Sequence, residues 1–172
     1  MNIVLVGMPG AGKSTMGVLL AKALGMDFVD TDILIQQHEG RLLQDIINED
    51  GIEKFLTVEE QAVAQLQLEN CVIATGGSII YSEKAMHNLR QGGKIFYLDV
   101  PYAQIEQRLK NIATRGIVMQ KGKSLREIYN ERVPLYIRYS DEIIACADQR
   151  IEDCVREMVR RIMNKVSSSN RW

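Results

Sequence analysis

The eight residues Gly7-Met8-Pro9-Gly10-Ala11-Gly12-Lys13-Ser14 constrain this chain more than any others. They follow the apolar run Ile3–Val6 and open a helical pattern at Lys13. They satisfy in full the phosphate-binding pattern of Gly, four residues, Gly-Lys and then Ser or Thr, and a strand before and a helix after are the context that pattern requires. Glycines let the backbone curl so that successive amides point inward at phosphate oxygens. The helix N-terminus adds partial positive charge and Lys13 a full one. The Ser14 hydroxyl is suited to Mg²⁺. The loop therefore predicts a bound nucleoside triphosphate with Mg²⁺, contacted by Gly10, Ala11, Gly12, Lys13, Ser14 and Thr15.

Short continuous apolar runs alternate with longer helical patterns along the rest of the chain, which is how crossover units around a parallel sheet read. Five strands are expected, at Ile3–Val6, Phe28–Asp30, Cys71–Ala74, Lys94–Asp99 and Glu142–Cys146. Helices are expected at Lys13–Leu24, Leu42–Glu49, Ile52–Glu69, Ser82–Arg90, Tyr102–Lys110, Ser124–Tyr139 and Ile151–Lys165. Gly25 is a left-handed stop, Ser82 and Ser124 are N-caps, and Pro101 stands at a first turn. With 172 residues, 46% of them hydrophobic, the chain has enough apolar material for one core. We expect one α/β domain over residues 1–166 and a flexible polar tail over 167–172, where Trp172 lies.

The 21 Lys and Arg nearly balance 22 Asp and Glu, so no general field favours nucleic acid or an acidic membrane. Cys71, Cys146 and Cys154 lack metal-ligand spacing and read as buried thiols, whereas His38 and His87 stand alone in polar stretches. No run reaches the length of a membrane span, and the opening residues Met1–Gly7 show no basic start, long apolar run or small-residue cleavage site. A cytoplasmic setting and a monomer are the expectation.

Chemistry narrows next. No guanine-reading Asn-Lys-x-Asp segment is present, and motor-type ATPases are usually larger, which leaves kinases of small acceptors. The carboxyl ends of parallel strands gather beside the phosphate loop, and the second strand ends Asp30-Thr31-Asp32. In an extended segment both acids point the same way, so one would hold Mg²⁺ while the other meets the acceptor hydroxyl; the competing reading is a turn with a helix cap. Thr75-Gly76-Gly77-Ser78 follows the third strand and allows close approach of a ligand, although a tight connection explains it as well. Asp99 ends an apolar strand, and we assign it a structural role because Asp30 and Asp32 already supply acid. Asn111–Lys123 reads as a mobile lid carrying Arg115, and Arg132 lies on the next helix; both guanidinium groups suit phosphate or carboxylate.

Taken together, GMPGAGKST, FVDTD, EDGIEKF followed by VEE, VIATGGS, YLDVP, the lid arginine and ERVPLY resemble the shikimate kinases in order and spacing, over essentially the whole chain. The resemblance implies a three-layer P-loop kinase fold, with a five-stranded parallel sheet in the order 2-3-1-4-5, helices on both faces and a mobile lid. It implies ATP-dependent phosphorylation of the shikimate 3-hydroxyl, a step of aromatic amino acid biosynthesis. By position, Asp30 resembles the Mg²⁺-linked aspartate and Asp32 the one that activates the substrate hydroxyl. Gly76 and Gly77 resemble substrate-contacting backbone, Arg115 the lid arginine on ATP phosphate, and Arg132 the arginine on the substrate carboxylate; Asp148–Asp153 resembles the loop bordering adenine. Lys13, Asp32 and Arg115 are thus the expected catalytic groups.

Three positions depart from the family pattern. Leu56 stands where the family has a carboxylate-binding arginine, Ser78 replaces a third glycine, and Gly116 replaces the proline after the lid arginine. Loss of a bidentate charged partner costs on the order of 2–5 kcal/mol, which weakens shikimate binding unless another cation, for which Arg41 is the candidate, replaces it. Two alternatives stand beside a shikimate kinase. One is a kinase of the same fold for a less acidic hydroxyl compound, with Leu56 as an apolar pocket wall. The other is an ATP-binding domain without catalysis.

Overall fold

A parallel sheet of five strands orders the molecule, in a computed structural model that describes residues 1–110, 122–147 and 149–169, with side chains as far as Asn164. The strands are β1 (Asn2–Val6), β2 (Asp27–Asp30), β3 (Cys71–Ala74), β4 (Gly93–Asp99) and β5 (Glu142–Ala145), in the order β2-β3-β1-β4-β5. The α-helices are α1 (Lys13–Leu24), α2 (Thr31–Glu39), α3 (Leu43–Asp50), α4 (Ile52–Ala64), α5 (Glu83–Gly92), α6 (Tyr102–Lys110), α7 (Leu125–Tyr139) and α8 (Ile151–Ser169).

Strand order fixes the layers. The path from β1 to β2 runs one way across the sheet, and every later crossover runs the other way. Right-handed connections then put α1 on one face and α2 to α7 on the other. Consistent with this, α1 packs on β2, β3 and α8, whereas α5 packs on α4 and β4. All of β1, all of β3 and the middle of β4 are buried, as continuous apolar strands covered on both sides should be. A second, smaller apolar cluster of Ile35, Leu43, Ile46, Phe55 and Val58 joins α2, α3 and α4.

Register aligns the functional ends. Asp30 pairs with Ala74, Leu5 with Ala74, and Val6 with Tyr97. The glycine loop after β1, the acid at the end of β2 and the glycine turn after β3 therefore emerge on one edge. Asn2 pins the opposite end, since its Nδ2 donates to the Leu68 carbonyl at 2.6 Å and its Oδ1 accepts from the Cys71 amide at 3.1 Å.

Most element ends match the sequence reading, including the left-handed cap at Gly25 and the Ser82 side chain accepting from the Ala85 amide. Several differ, among them α2 (Thr31–Glu39), a stretch absent from the expected helices. Helix α4 stops at Ala64 rather than Glu69, because Asn88 Nδ2 donates to the carbonyls of Val63 and Leu66 at 3.0 and 3.1 Å and satisfies the helix end there. A short 3₁₀ turn, Ile79–Tyr81, precedes α5 and buries Ile79 and Ile80. The expected lid, Asn111–Lys123, lies outside the described residues except for its last two positions. Arg115, Gly116, Asp148 and Trp172 lie outside them as well. Helix α8 continues to Ser169, past the expected start of the tail.

Candidate active site

Gly10 and Gly12 have φ of 79° and 95°, a region that L side chains rarely adopt, and Gly12 is the N-cap of α1. The loop can therefore curl as phosphate binding requires. Lys13 is buried, its Nζ donating to the carbonyls of Gly7 at 2.7 Å and Met8 at 2.9 Å. A contact that sequence reasoning missed comes from α6: Arg108 Nη1 donates to the Gly10 carbonyl at 3.1 Å. The only hint was a basic residue in that helix's last turn, and the sequence does not say what it faces.

Beside the loop is a cavity. Pro9, Gly10, Gly12, Lys13 and Ser14 form one wall, and Asp32, Glu59, Gly76, Gly77, Ser78 and Arg132 form the other, with Leu43 and Phe55 from the smaller apolar cluster. Ala11 is buried behind it, and neither it nor Thr15 lines the cavity. Groups expected on the nucleotide side and on the acceptor side thus meet in one space. The close packing explains the two glycines. A Cβ on Gly77 would lie 2.7 Å from Pro9 Cδ and 3.2 Å from Arg132 Nη1, and one on Gly76 would lie 2.1 Å from Glu59 Oε1.

The aspartates reach the edge by a different route from the one expected. Strand β2 ends at Asp30, whose Oδ1 caps α2 by accepting from the Asp32 amide at 3.0 Å. Asp32 belongs to the first helical turn, so strand alternation does not aim the pair. Asp32 lines the cavity and Asp30 does not. The Gly76 amide donates to Thr31 Oγ1 at 3.1 Å, which ties the glycine turn to the start of α2 and commits that donor internally.

Arg132 is 2% exposed; its Nε donates to Tyr81 Oη at 3.2 Å. Tyr81 in turn donates to Glu131 Oε1 at 2.6 Å, and Lys123 pairs with the other oxygen of Glu131. Tyr136 donates to the Gly77 carbonyl at 2.6 Å and stacks on Tyr97. These contacts hold the guanidinium against the glycine turn. Asp99 accepts from Tyr97 Oη at 3.1 Å and does not line the cavity.

Leu56 lies elsewhere. It borders an adjoining depression with Thr57, Glu60, Tyr81 and Ser82, which shares Glu59 and Ser78 with the main cavity. Arg41 does not replace a missing cation there: Asp50 and Glu49 hold it at 2.6 and 2.9 Å, and it lines neither space.

Glu59 was not singled out from sequence. It is 1% exposed, and its Oε2 accepts from Ser78 Oγ at 2.6 Å. Burial pushes its carboxyl up to about 7, with the nearby Asp32 adding to the rise, while the Ser78 hydrogen bond, Arg132 and Lys13 oppose it. The signal was present in α4, where Glu59 shares the helical spacing of buried Phe55, Val58 and Val63.

The family model for shikimate kinase matches residues 9–164. This chain belongs to the shikimate kinase family. The shikimate kinase of Persephonella marina is 33% identical over 162 residues, covering 94% of this chain and 98% of that protein. A shikimate kinase structure from Acinetobacter baumannii in complex with shikimate is 30% identical, with a TM-score of 0.85 over 99% of this chain and 95% of that one. The shikimate kinase structure from Aquifex aeolicus is 26% identical, with a TM-score of 0.80 over 96% and 98%. The sheet order inferred from the resemblance is the order found, and the chain is a P-loop phosphotransferase that uses ATP and an alcohol acceptor of small size.

Proposed function

We propose that this shikimate kinase family member transfers the γ-phosphoryl group of ATP to the 3-hydroxyl of shikimate. The observation that carries the reading is that Asp32 and Arg132 line the same cavity as Lys13 and Ser14. Backbone amides of the glycine loop and the α1 N-terminus bind the triphosphate. The Lys13 ammonium, lying along the loop carbonyls, moves to the phosphate oxygens and stabilises the charge of the transferred group. Asp32, fixed by the first turn of α2, accepts or orients the proton of the attacking hydroxyl. Arg132 grips the acceptor carboxylate through paired hydrogen bonds, and Gly76, Gly77 and Ser78 form the floor on which the ring rests.

No cluster of three or more His, Cys, Asp or Glu suited to a metal occurs among the described residues. Mg²⁺ is usually held by one or two protein oxygens together with substrate phosphates. Ser14, on the cavity wall, and Asp30, outside that lining and capping α2 through one carboxylate oxygen, would hold it, and when bound it would neutralise charge on the phosphates. Arg115 from the lid is assigned to ATP phosphate. Three free, buried cysteines suit a reducing cytoplasm, and we assign the chain to a single-domain monomer there.

Coupled ADP release with Mg-ATP and shikimate, quinate, gluconate, homoserine or nucleoside monophosphates tests the reading. Turnover with shikimate well above the others is the expected result. Turnover with another acceptor and none with shikimate would support the alternative that the apolar Leu56 favours, a kinase for a less acidic hydroxyl compound.

A further inference from the structure

Glu59 is a buried acid in the wall shared by the cavity and the depression beside it. One of its oxygens is accounted for, since Oε2 accepts from Ser78 Oγ. The other, Oε1, is buried and has no hydrogen-bond partner. A buried carboxylate oxygen without a donor is costly, whereas a protonated one needs only an acceptor.

Its surroundings disfavour the charged form. Glu59 Oε1 and Asp32 Oδ1 converge on the point where a Cβ of Gly76 would lie, at 2.1 and 2.9 Å from it. Two acids so placed do not both ionise readily. Lys13 from α1 and Arg132 from α7 face the same cavity and favour the charged form, but burial of Glu59 together with Asp32 outweighs them. From α3 comes the apolar Leu43, and Glu60 and Tyr81 border the far side. Three residues before Glu59, on the same helical face, stands Leu56, which brings no charge.

Resting on the acceptor reading above, we propose that Glu59 is held as a neutral carboxylic acid and donates a hydrogen bond through Oε1 to the acceptor, making proton occupancy at this position a determinant of acceptor affinity. The group is a specificity residue, distinct in role from Asp32, which meets the transferring hydroxyl. The consequence is linkage: where Glu59 is ionised in the free protein, binding takes up a proton.

Two measurements on the full chain test this. In protein labelled with ¹³C at the glutamate carboxyl, the resonance that disappears in Glu59→Gln should titrate between about pH 6 and 8; a midpoint below about 5, in the ordinary carboxylate range, overturns the proposal. Calorimetry with shikimate at pH 8, in two buffers of different ionisation enthalpy, should show uptake close to one proton, and Kd should rise about tenfold from pH 6 to pH 8. In Glu59→Gln the rise should fall below about twofold. Binding without proton uptake overturns the donor role and needs no variant, and so does a Gln variant that keeps the full pH dependence. Absence of shikimate binding at every pH would instead remove the acceptor reading and the donor role together, while the carboxyl midpoint still reports whether Glu59 is held neutral.

Discussion

Asp32 and Leu56 separate chemistry from recognition at the level of single residues. Asp32 shares the cavity with Lys13 and Ser14, and an amide keeps its shape while losing the ability to take a proton. We expect Asp32→Asn to lower kcat by about 10²–10⁴, the range of one acid–base group, with the Kd for ATP within about twofold; single-turnover phosphoryl transfer and nucleotide titration measure the two separately. Leu56 instead borders the depression next to Glu59. In Leu56→Arg the new cation lies beside that acid, ionises it and offers a second grip on a carboxylate, so the KM for shikimate should fall about tenfold or more at pH 8 and lose its dependence on pH. A KM that stays put or rises would show a pocket shaped for something else. The phosphate loop and Asp32 were legible in the sequence because each is local, a fixed spacing or a short segment at a strand end. Glu59 and Arg108 were not, since their meaning arises only when α4 meets Ser78 and α6 meets Gly10.

At the scale of elements, the five strands and most helices could be read because apolar runs and caps are sequence-local signals. The end of α4 could not, because Asn88 on another helix decides it. The aiming of Asp32 also escaped the sequence: an extended segment and a helix that starts at Thr31 predict different directions for the same three residues. Helix α7 carries Arg132 and begins in a reciprocal cap, with the Ser124 side chain accepting from the Glu127 amide and the Glu127 carboxylate accepting from the Ser124 amide at 2.7 Å. Removing one half leaves helical amides without a partner. Ser124→Ala should therefore lower stability by about 1 kcal/mol, read as a fall of about 2–4 °C in Tm. Because the cap lies two turns from Arg132, kcat at saturating substrates should change less than about twofold, the scale of a lost cap rather than of a lost reacting group.

The whole molecule pays for its polar cavity wall in a pH-dependent way. A carboxyl raised to about 7 in the folded chain holds its proton between about pH 4.5 and 7, where the unfolded chain has released it. The unfolded state then binds fewer protons than the folded one, so stability is greatest below this window, falls as pH rises through it and levels off above it. Partly exposed carboxyls such as Glu157, held low by Arg160 and Arg161, act in the opposite sense and only in more acid solution, and their ion pairs are weak because water screens them. The Glu59 contribution therefore declines from about pH 5 upward, above the acid range in which those pairs act. The loss attributable to Glu59 above that point is about 2–3 kcal/mol, which corresponds to about 5–10 °C in Tm for a chain of this size. Glu59→Gln keeps an acceptor for Ser78 Oγ and cannot ionise, so it should unfold at a higher temperature than the parent at pH 8 and at nearly the same temperature at pH 5. Thermal unfolding of both proteins at the two pH values isolates the term, because every other titrating group is common to the pair; parallel curves with no gap at pH 8 would mean that Glu59 ionises in the folded chain without cost.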